Sequence, residues 1–226
     1  MGQQDELKLL AARKSLEFVE DGMAVGLGSG STATLFIRLL GERVKQGLRV
    51  RGIASSQASE DLARELGIPL TDFRATPVLD VAIDGADEVA PGLALIKGGG
   101  GKLLREKIVA SASRRFIIVA DKSKEVARLG AFPLPVEVIP MAEPLVERQL
   151  IKLGLRPQIR RLADGSEYIT DEGNLLLDCG SDGIDDPDAM GAAISAIVGV
   201  VEHGLFLKMA SLALIAGDGA VVERRS

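Results

Sequence analysis

The chain has 226 residues, 46% hydrophobic and 26% charged, with a formal net charge of −5, one cysteine, one tyrosine and no tryptophan. That length suits one large or two modest domains with a real core, and Lys and Arg scattered on an acidic background argue against a nucleic-acid surface, which needs a basic stripe and stacking aromatics. Apolar runs such as "FIIVA" fall far short of the roughly 20 residues of a membrane-spanning helix, "MGQQDELKLL" lacks a signal-peptide pattern, and lone Cys179 can form no internal disulfide, so a cytoplasmic protein is the simplest expectation.

In chain order, "DELKLLAARKSLEFVE" sets Leu9, Ala12, Leu16 and Val19 on one helical face. "MAVGLG" reads as a short buried strand, and "STATLFIRLLGERVKQG" as a helix opening at Ser31 or Thr32 and closing near Gly47. "RVRGIAS", "VLDVAI", "LALI" and "RFIIVA" follow as strands, with "SQASEDLARELG" and "GKLLREKIVASAS" as helices. Strands alternating with helices predict an α/β fold, Rossmann-like, with a mainly parallel sheet covered on both faces. Ligands in such sheets sit at the strand C-terminal ends.

The texture changes after about Gly130. "FPLPVEVIP" carries three prolines in a short apolar run, which predicts an edge strand or linker and a domain boundary. Helical "AEPLVERQLIKLG" and "DPDAMGAAISAIVG", with strand-like "RPQIRRL" and "NLLLDCG", make a smaller α+β domain. The tail, "VVEHGLFLKMASLALIAGDGAVVERR", returns to strands that can rejoin the first sheet. The expected division is 1–130 plus 204–226 for the main domain and 131–203 for the small one.

Three constellations could carry chemistry. In "VGLGSGSTATLF", Gly28, Gly30 and Ala33 satisfy a G-x-G-x-x-A dinucleotide pattern. The acid that should follow about 20 residues on to hold a ribose is missing, which leaves at most an NADP reading through Arg49 or Arg51. A smaller phosphate, held by backbone N–H groups and the hydroxyls of Ser29, Ser31 and Thr32 at a helix N-terminus, is the other functional reading; a tight, N-capped strand-to-helix turn explains the same residues without a ligand. In "IDGADEVA", Asp84, Asp87 and Glu88 cluster where the fold puts ligands, as a solvated turn, a Mg²⁺ site or acid–base groups on sugar hydroxyls.

The third is "LIKGGGGKLLREKIVAS". Ordering four glycines costs roughly 0.5–1 kcal/mol each relative to Ala in regular structure, so the run suggests close backbone approach to something, unless it serves flexibility alone. Glu106 stands at three-residue spacing from Leu103 and Val109, where partial desolvation makes a better base; the plainer alternative pairs it with Lys102 on a wet helix face. Lys97 is either a surface charge or the electrophile that steadies an oxyanion.

Taken together, "GLGSGSTA", "DGADEV", "KGGGGKLLREK", "VADKSK", "FPLPVEVIPMA" and "GVVEHGLF" resemble, in order and over nearly the whole chain, the ribose-5-phosphate isomerase family of the A type. The resemblance implies interconversion of ribose 5-phosphate and ribulose 5-phosphate through an enediolate in the non-oxidative pentose phosphate pathway. It implies no metal and no organic cofactor, a Rossmann-like domain with a small α+β domain, and a homodimer or homotetramer. Glu106 matches the family's base, Lys97 with Gly98, Gly99 and Gly100 the group steadying the oxyanion, and Asp84 and Asp87, with Gly85 and Ala86, the residues holding sugar hydroxyls and assisting ring opening. The phosphate falls to Ser29, Gly30, Ser31 and Thr32, helped by Lys8 and Lys124. Two departures stand out: Ser29 where Thr is frequent, and "GGGGK" for three glycines followed by small residues. An NADP-dependent oxidoreductase, a non-catalytic sugar-phosphate sensor and a metal-dependent isomerase remain as rivals.

Overall fold

The computed structural model describes residues 2–225. Its helices are α1 (Gln3–Ser15), α2 (Gly30–Lys45), α3 (Gln57–Glu65), α4 (Leu103–Ser111), α5 (Glu143–Lys152) and α6 (Pro187–Ser195). Its strands are β1 (Ala24–Leu27), β2 (Arg51–Ala54), β3 (Val81–Asp84), β4 (Glu88–Val89), β5 (Leu95–Ile96), β6 (Phe116–Asp121), β7 (Leu134–Val138), β8 (Arg156–Ile159), β9 (Leu175–Gly180), β10 (Val200–His203), β11 (Leu205–Phe206), β12 (Leu212–Gly217) and β13 (Ala220–Arg225). Packing divides them into two units. Residues up to Ala86, with Arg105–Glu125 and the chain from Lys208, form one; Asp87–Leu104 and Val126–Leu207 form the other.

The first unit is built on a six-stranded sheet of order β13-β12-β6-β3-β1-β2, parallel throughout except for the hairpin of β12 and β13. Thus the tail rejoins this sheet. In α2, Ala33, Phe36, Ile37 and Leu40 form one buried stripe, the helical spacing that lets a helix lie on a sheet. Phe36, Ile37 and Leu40 join Ala11 and Ala12 of α1 and Val25, Leu27, Ile83, Val119 and Leu214 of the strands in one core. The helix α2 carries the chain from β1 to β2 on one side, whereas β3 pairs with β1 on the other. The strand order therefore reverses at β1, which opens a crevice at the C-terminal ends of β1 and β3.

The second unit holds an antiparallel sheet of order β10-β7-β9-β8 and a smaller one of order β11-β5-β4. Pairing of β4 and β5 with β11 explains why residues 87–104 fall in this unit, where the sequence leads one to expect 131–203 alone. Val136, Val138, Leu177, Val146, Leu150 and Ile194 fill its core. Cys179 is buried there too, and burial pushes its thiol up to about 12, so it is an inert thiol at neutral pH.

The proline-rich run predicted at an edge is instead an interior strand, with β9 on one side of β7 and β10 on the other. Pro135 is tolerated because Gly204 lies opposite. A Cβ on Gly204 would come within 2.8 Å of the proline Cδ, and the Gly204 N–H donates to the Pro135 carbonyl at 2.7 Å. Among the described residues, no helix is long and apolar enough to cross a membrane.

Candidate active site

Glycines 26, 28 and 30 meet three separate demands. A Cβ on Gly26 would lie 2.6 Å from both Ala82 and Val109, so its absence lets α4 approach the strands. A Cβ on Gly28 would lie 2.4 Å from Oδ1 of Asp84. Gly30 takes φ +80°, a conformation L side chains rarely adopt, as the chain turns from β1 into α2.

Ser29 is the N-cap of α2, yet its side chain makes no capping bond to the helix. Its hydroxyl turns instead to Glu106 and donates to Oε1. The first turn of α2, with Gly30 and Ser31 exposed and Thr32 buried, is left as a helix N-terminus whose N–H groups and dipole suit an anion. Asp84 ends β3 and is only 2% exposed; its Oδ1 accepts from the N–H of Ser29 at 2.9 Å and of Gly85 at 2.7 Å, which fixes the carboxylate at the mouth of the crevice. Glu106, in the first turn of α4, is 5% exposed, with Leu103 and Val109 buried a turn to either side.

At the end of the neighbouring strand β6, Asp121 caps the turn Lys122–Lys124 that carries Lys124. It accepts from the Ser123 N–H at 3.0 Å and hydroxyl at 2.5 Å. Burial pushes its carboxyl up, but these bonds, Gln4 and the Lys124 charge outweigh that and leave it below the usual value. Lys8 is half-buried on α1, the helix that packs on β6 and β12.

The second unit places Lys97 just beyond β5, 2% exposed, with Nζ 5.5 Å from the Phe206 ring centroid, a cation–π contact. The glycines after it form a tight turn closed by a bond from the Gly101 N–H to the Gly98 carbonyl at 2.9 Å. Asp87 accepts from the Gly99 N–H at 2.7 Å, and a Cβ on Gly99 would collide with that carboxylate at 2.5 Å. Gly101 backs onto Tyr168, and Lys102 pairs with Asp171 at 2.5 Å rather than with Glu106. Burial lowers the Lys102 pKa, but Asp171 and Tyr168 overcome this and raise it.

Sequence reasoning passed over Tyr168, Asp171, Arg160 and Asp178. Arg160 holds the carbonyls of Gly98 and Gly99, and no local motif marks it; the one available signal was a cation closing a strand beside an antiparallel partner that carries an acid. Among the described residues, no group of three or more His, Cys, Asp and Glu side chains could hold a metal ion.

A Rossmann-like sheet with an anion-accepting helix end and two buried carboxylates at its switch point defines an enzyme of small anionic substrates, equipped for proton transfer. Residues 51–219 match the family described as ribose 5-phosphate isomerase A, or phosphoriboisomerase A. The ribose-5-phosphate isomerase A of Roseiflexus castenholzii is 54% identical over 216 residues, covering 94% of this chain and 92% of that protein, and that of Parvibaculum lavamentivorans is 49% identical over 220 residues, covering 95% of each. The ribose 5-phosphate isomerase A structure from Methanocaldococcus jannaschii matches with a TM-score of 0.95 at 41% identity, covering 99% of this chain and 100% of that one. A D-ribose-5-phosphate isomerase in complex with phospho-erythronic acid matches with a TM-score of 0.96 at 36% identity over the full length of both chains. The chain belongs to the ribose 5-phosphate isomerase A family. It is an isomerase that interconverts ribose 5-phosphate and ribulose 5-phosphate.

Proposed function

We propose that the isomerisation runs by proton transfer through an enediolate, with Glu106 as the base. Glu106 takes the C2 proton, the electron pair forms the C1–C2 double bond, and the aldehyde oxygen becomes an oxyanion. The same carboxyl then returns the proton to C1 while the proton of the C2 hydroxyl passes to the C1 oxygen, leaving a C2 ketone and a C1 hydroxyl. Lys97 and the N–H groups of Gly98, Gly99 and Gly100 steady the charge on oxygen. Asp84 and Asp87, with the backbone of Gly85 and Ala86, hold the hydroxyls and assist ring opening. The phosphate rests on Gly30, Ser31 and Thr32, with Lys8 and Lys124 supplying charge, while Ser29, expected among the phosphate ligands, gives its N–H to Asp84 and its hydroxyl to Glu106 and so positions the acids beside that site.

The observation that carries this reading is the bond from Ser29 to Glu106, which ties a buried carboxylate to the cap of an anion-accepting helix. A relative bound to phospho-erythronic acid supports it, because a carboxylate on a phosphorylated four-carbon chain has the charge and shape of an enediolate. The protein works in the cytoplasm, without metal or organic cofactor, as a homodimer or homotetramer. Exposed apolar side chains in the second unit, Met141 and Val198 at 92% and Leu145 and Ile151 beside them, support self-association.

The test is formation of ribulose 5-phosphate from ribose 5-phosphate after exhaustive chelation. Undiminished turnover, with free ribose a very poor substrate, is the expected result. Activity lost on chelation and restored by Mg²⁺ or Mn²⁺ would recast Asp84 and Asp87 as metal ligands.

A further inference from the structure

One side chain with no part in the proton transfer holds the glycine turn from behind. Nη1 of Arg160 donates to the carbonyl of Gly98 at 3.1 Å and of Gly99 at 3.0 Å. Its other edge grips Asp178, Nε to Oδ2 at 2.8 Å and Nη2 to Oδ1 at 2.5 Å. The clamp is itself anchored. The Arg160 N–H donates to the Leu176 carbonyl at 2.8 Å, its carbonyl accepts from the Tyr168 N–H at 2.9 Å, and Asp178 sits in β9 between two antiparallel neighbours.

The carbonyl and N–H of one trans peptide point in opposite directions. With the Gly98 carbonyl turned to Arg160, the Gly99 N–H faces the other way, where it donates to Asp87 at 2.7 Å. With the Gly99 carbonyl turned to Arg160 as well, the Gly100 N–H also faces away from the guanidinium. Glycine peptides flip easily, because each residue reaches both signs of φ. Four in a row do not choose one arrangement unaided. A cation bonded to both carbonyls makes that choice, and polarises the two peptides so that their N–H groups donate more strongly.

We propose that Arg160 is a positioning residue for the isomerisation. It selects the peptide orientation of the turn that holds Asp87 and presents the N–H groups meant for the substrate oxygens. This rests on the assignment of Asp87 and the glycine turn to the sugar. The work needs a planar fork with two usable edges, so a lysine cannot replace it.

The test is steady-state kinetics of the full chain carrying Arg160→Met or Arg160→Lys, with calorimetric titration by phospho-erythronic acid to count competent sites. Misplacing a catalytic group by a fraction of its reach costs about 10- to 100-fold. Both variants should lose kcat on that scale, with KM moved far less and one binding site kept per chain. Amide exchange at Gly99 should speed up. Arg156→Ala, at the start of the strand that leads to Arg160 and paired with exposed Asp182, should keep wild-type kcat. Wild-type kcat in Arg160→Met, full rescue by lysine, or a kcat loss matched by an equal loss of binding sites would each overturn the proposal. Asp87→Asn separates the two layers. Wild-type kcat in that variant would remove the underlying assignment, whereas a slow Asp87→Asn beside a fast Arg160→Met would remove Arg160 alone.

Discussion

Ser29 and Glu106 lie 77 residues apart in the chain and meet in a hydrogen bond, hydroxyl to carboxylate, at the start of α2. A serine at an N-cap ordinarily spends its oxygen on the helix's own N–H groups. Here it points the base instead, so the helix end and the base hold each other in place. Ser29→Ala should therefore raise the barrier that governs kcat/KM by about 1.5–3 kcal/mol, the scale of a hydrogen bond to a charged group, or roughly a 10- to 150-fold loss. Steady-state kinetics checks this, and a variant within twofold of wild type would mean the bond does not orient the base.

Gly28 sets how closely β1 can pass the Asp84 carboxylate. In Gly28→Ala the new Cβ would stand 2.4 Å from Asp84 Oδ1 and 2.5 Å from the Ile83 carbonyl, and Asp84 is already held by two backbone N–H groups. Something must shift. Overpacking of this kind costs about 1–3 kcal/mol of stability, and activity should fall further than folding does. Denaturant unfolding alongside an activity assay reads both; an alanine variant stable and fully active would show that this close approach is dispensable.

Much of this was legible in the sequence because hydrophobic period and turn chemistry agree there. The stripe Ala33, Phe36, Ile37 and Leu40 and the buried run from Val81 to Asp84 follow directly from their spacing. The strand "LALI" was legible and holds β5, but its place outside the parallel sheet, antiparallel to β4 and β11, was not, since strands of two residues carry no period. The interior position of β7 was hidden for another reason: what admits Pro135 is Gly204, 69 positions later. Asp84 stood out because acids cluster at a strand end, whereas the spacing of Glu106 from Leu103 and Val109 fits an ion pair with Lys102 on a wet face as readily as a half-buried base, and only the family resemblance marked it. Arg160 did not, because what distinguishes it is a pair of backbone carbonyls, and those have no letter in a sequence.

Glu137 makes the stability of the protein depend on pH. Burial pushes its carboxyl up, the nearby charges of Glu172 and Asp171 add to that, and bonds from Asn174 and Thr170, each 2.9 Å, only partly offset it. A folded pKa above the unfolded one means that the folded state binds the proton more tightly, so stability falls as pH rises through the unfolded value toward the raised one and then levels off. Glu137→Gln removes that slope and keeps an oxygen for both donors. Unfolding free energies of wild type and variant, measured from mildly acidic to neutral pH, should diverge in the variant's favour as pH rises. A difference that stays constant with pH would contradict the assignment.

The most direct test of the central claim follows the hydrogen that leaves C2. A proton held on a carboxylate can exchange with water before it is delivered, so turnover of ribose 5-phosphate in deuterated solvent should place deuterium on C1 of the product. Gln keeps the shape of Glu106 but cannot accept the proton, so Glu106→Gln should lower kcat by about 10²–10⁴-fold, with substrate binding little changed and label incorporation lost in step with turnover. Complete retention of the substrate hydrogen in the wild-type product, together with a Glu106→Gln variant near wild-type rate, would contradict both the proton-transfer route and the choice of base.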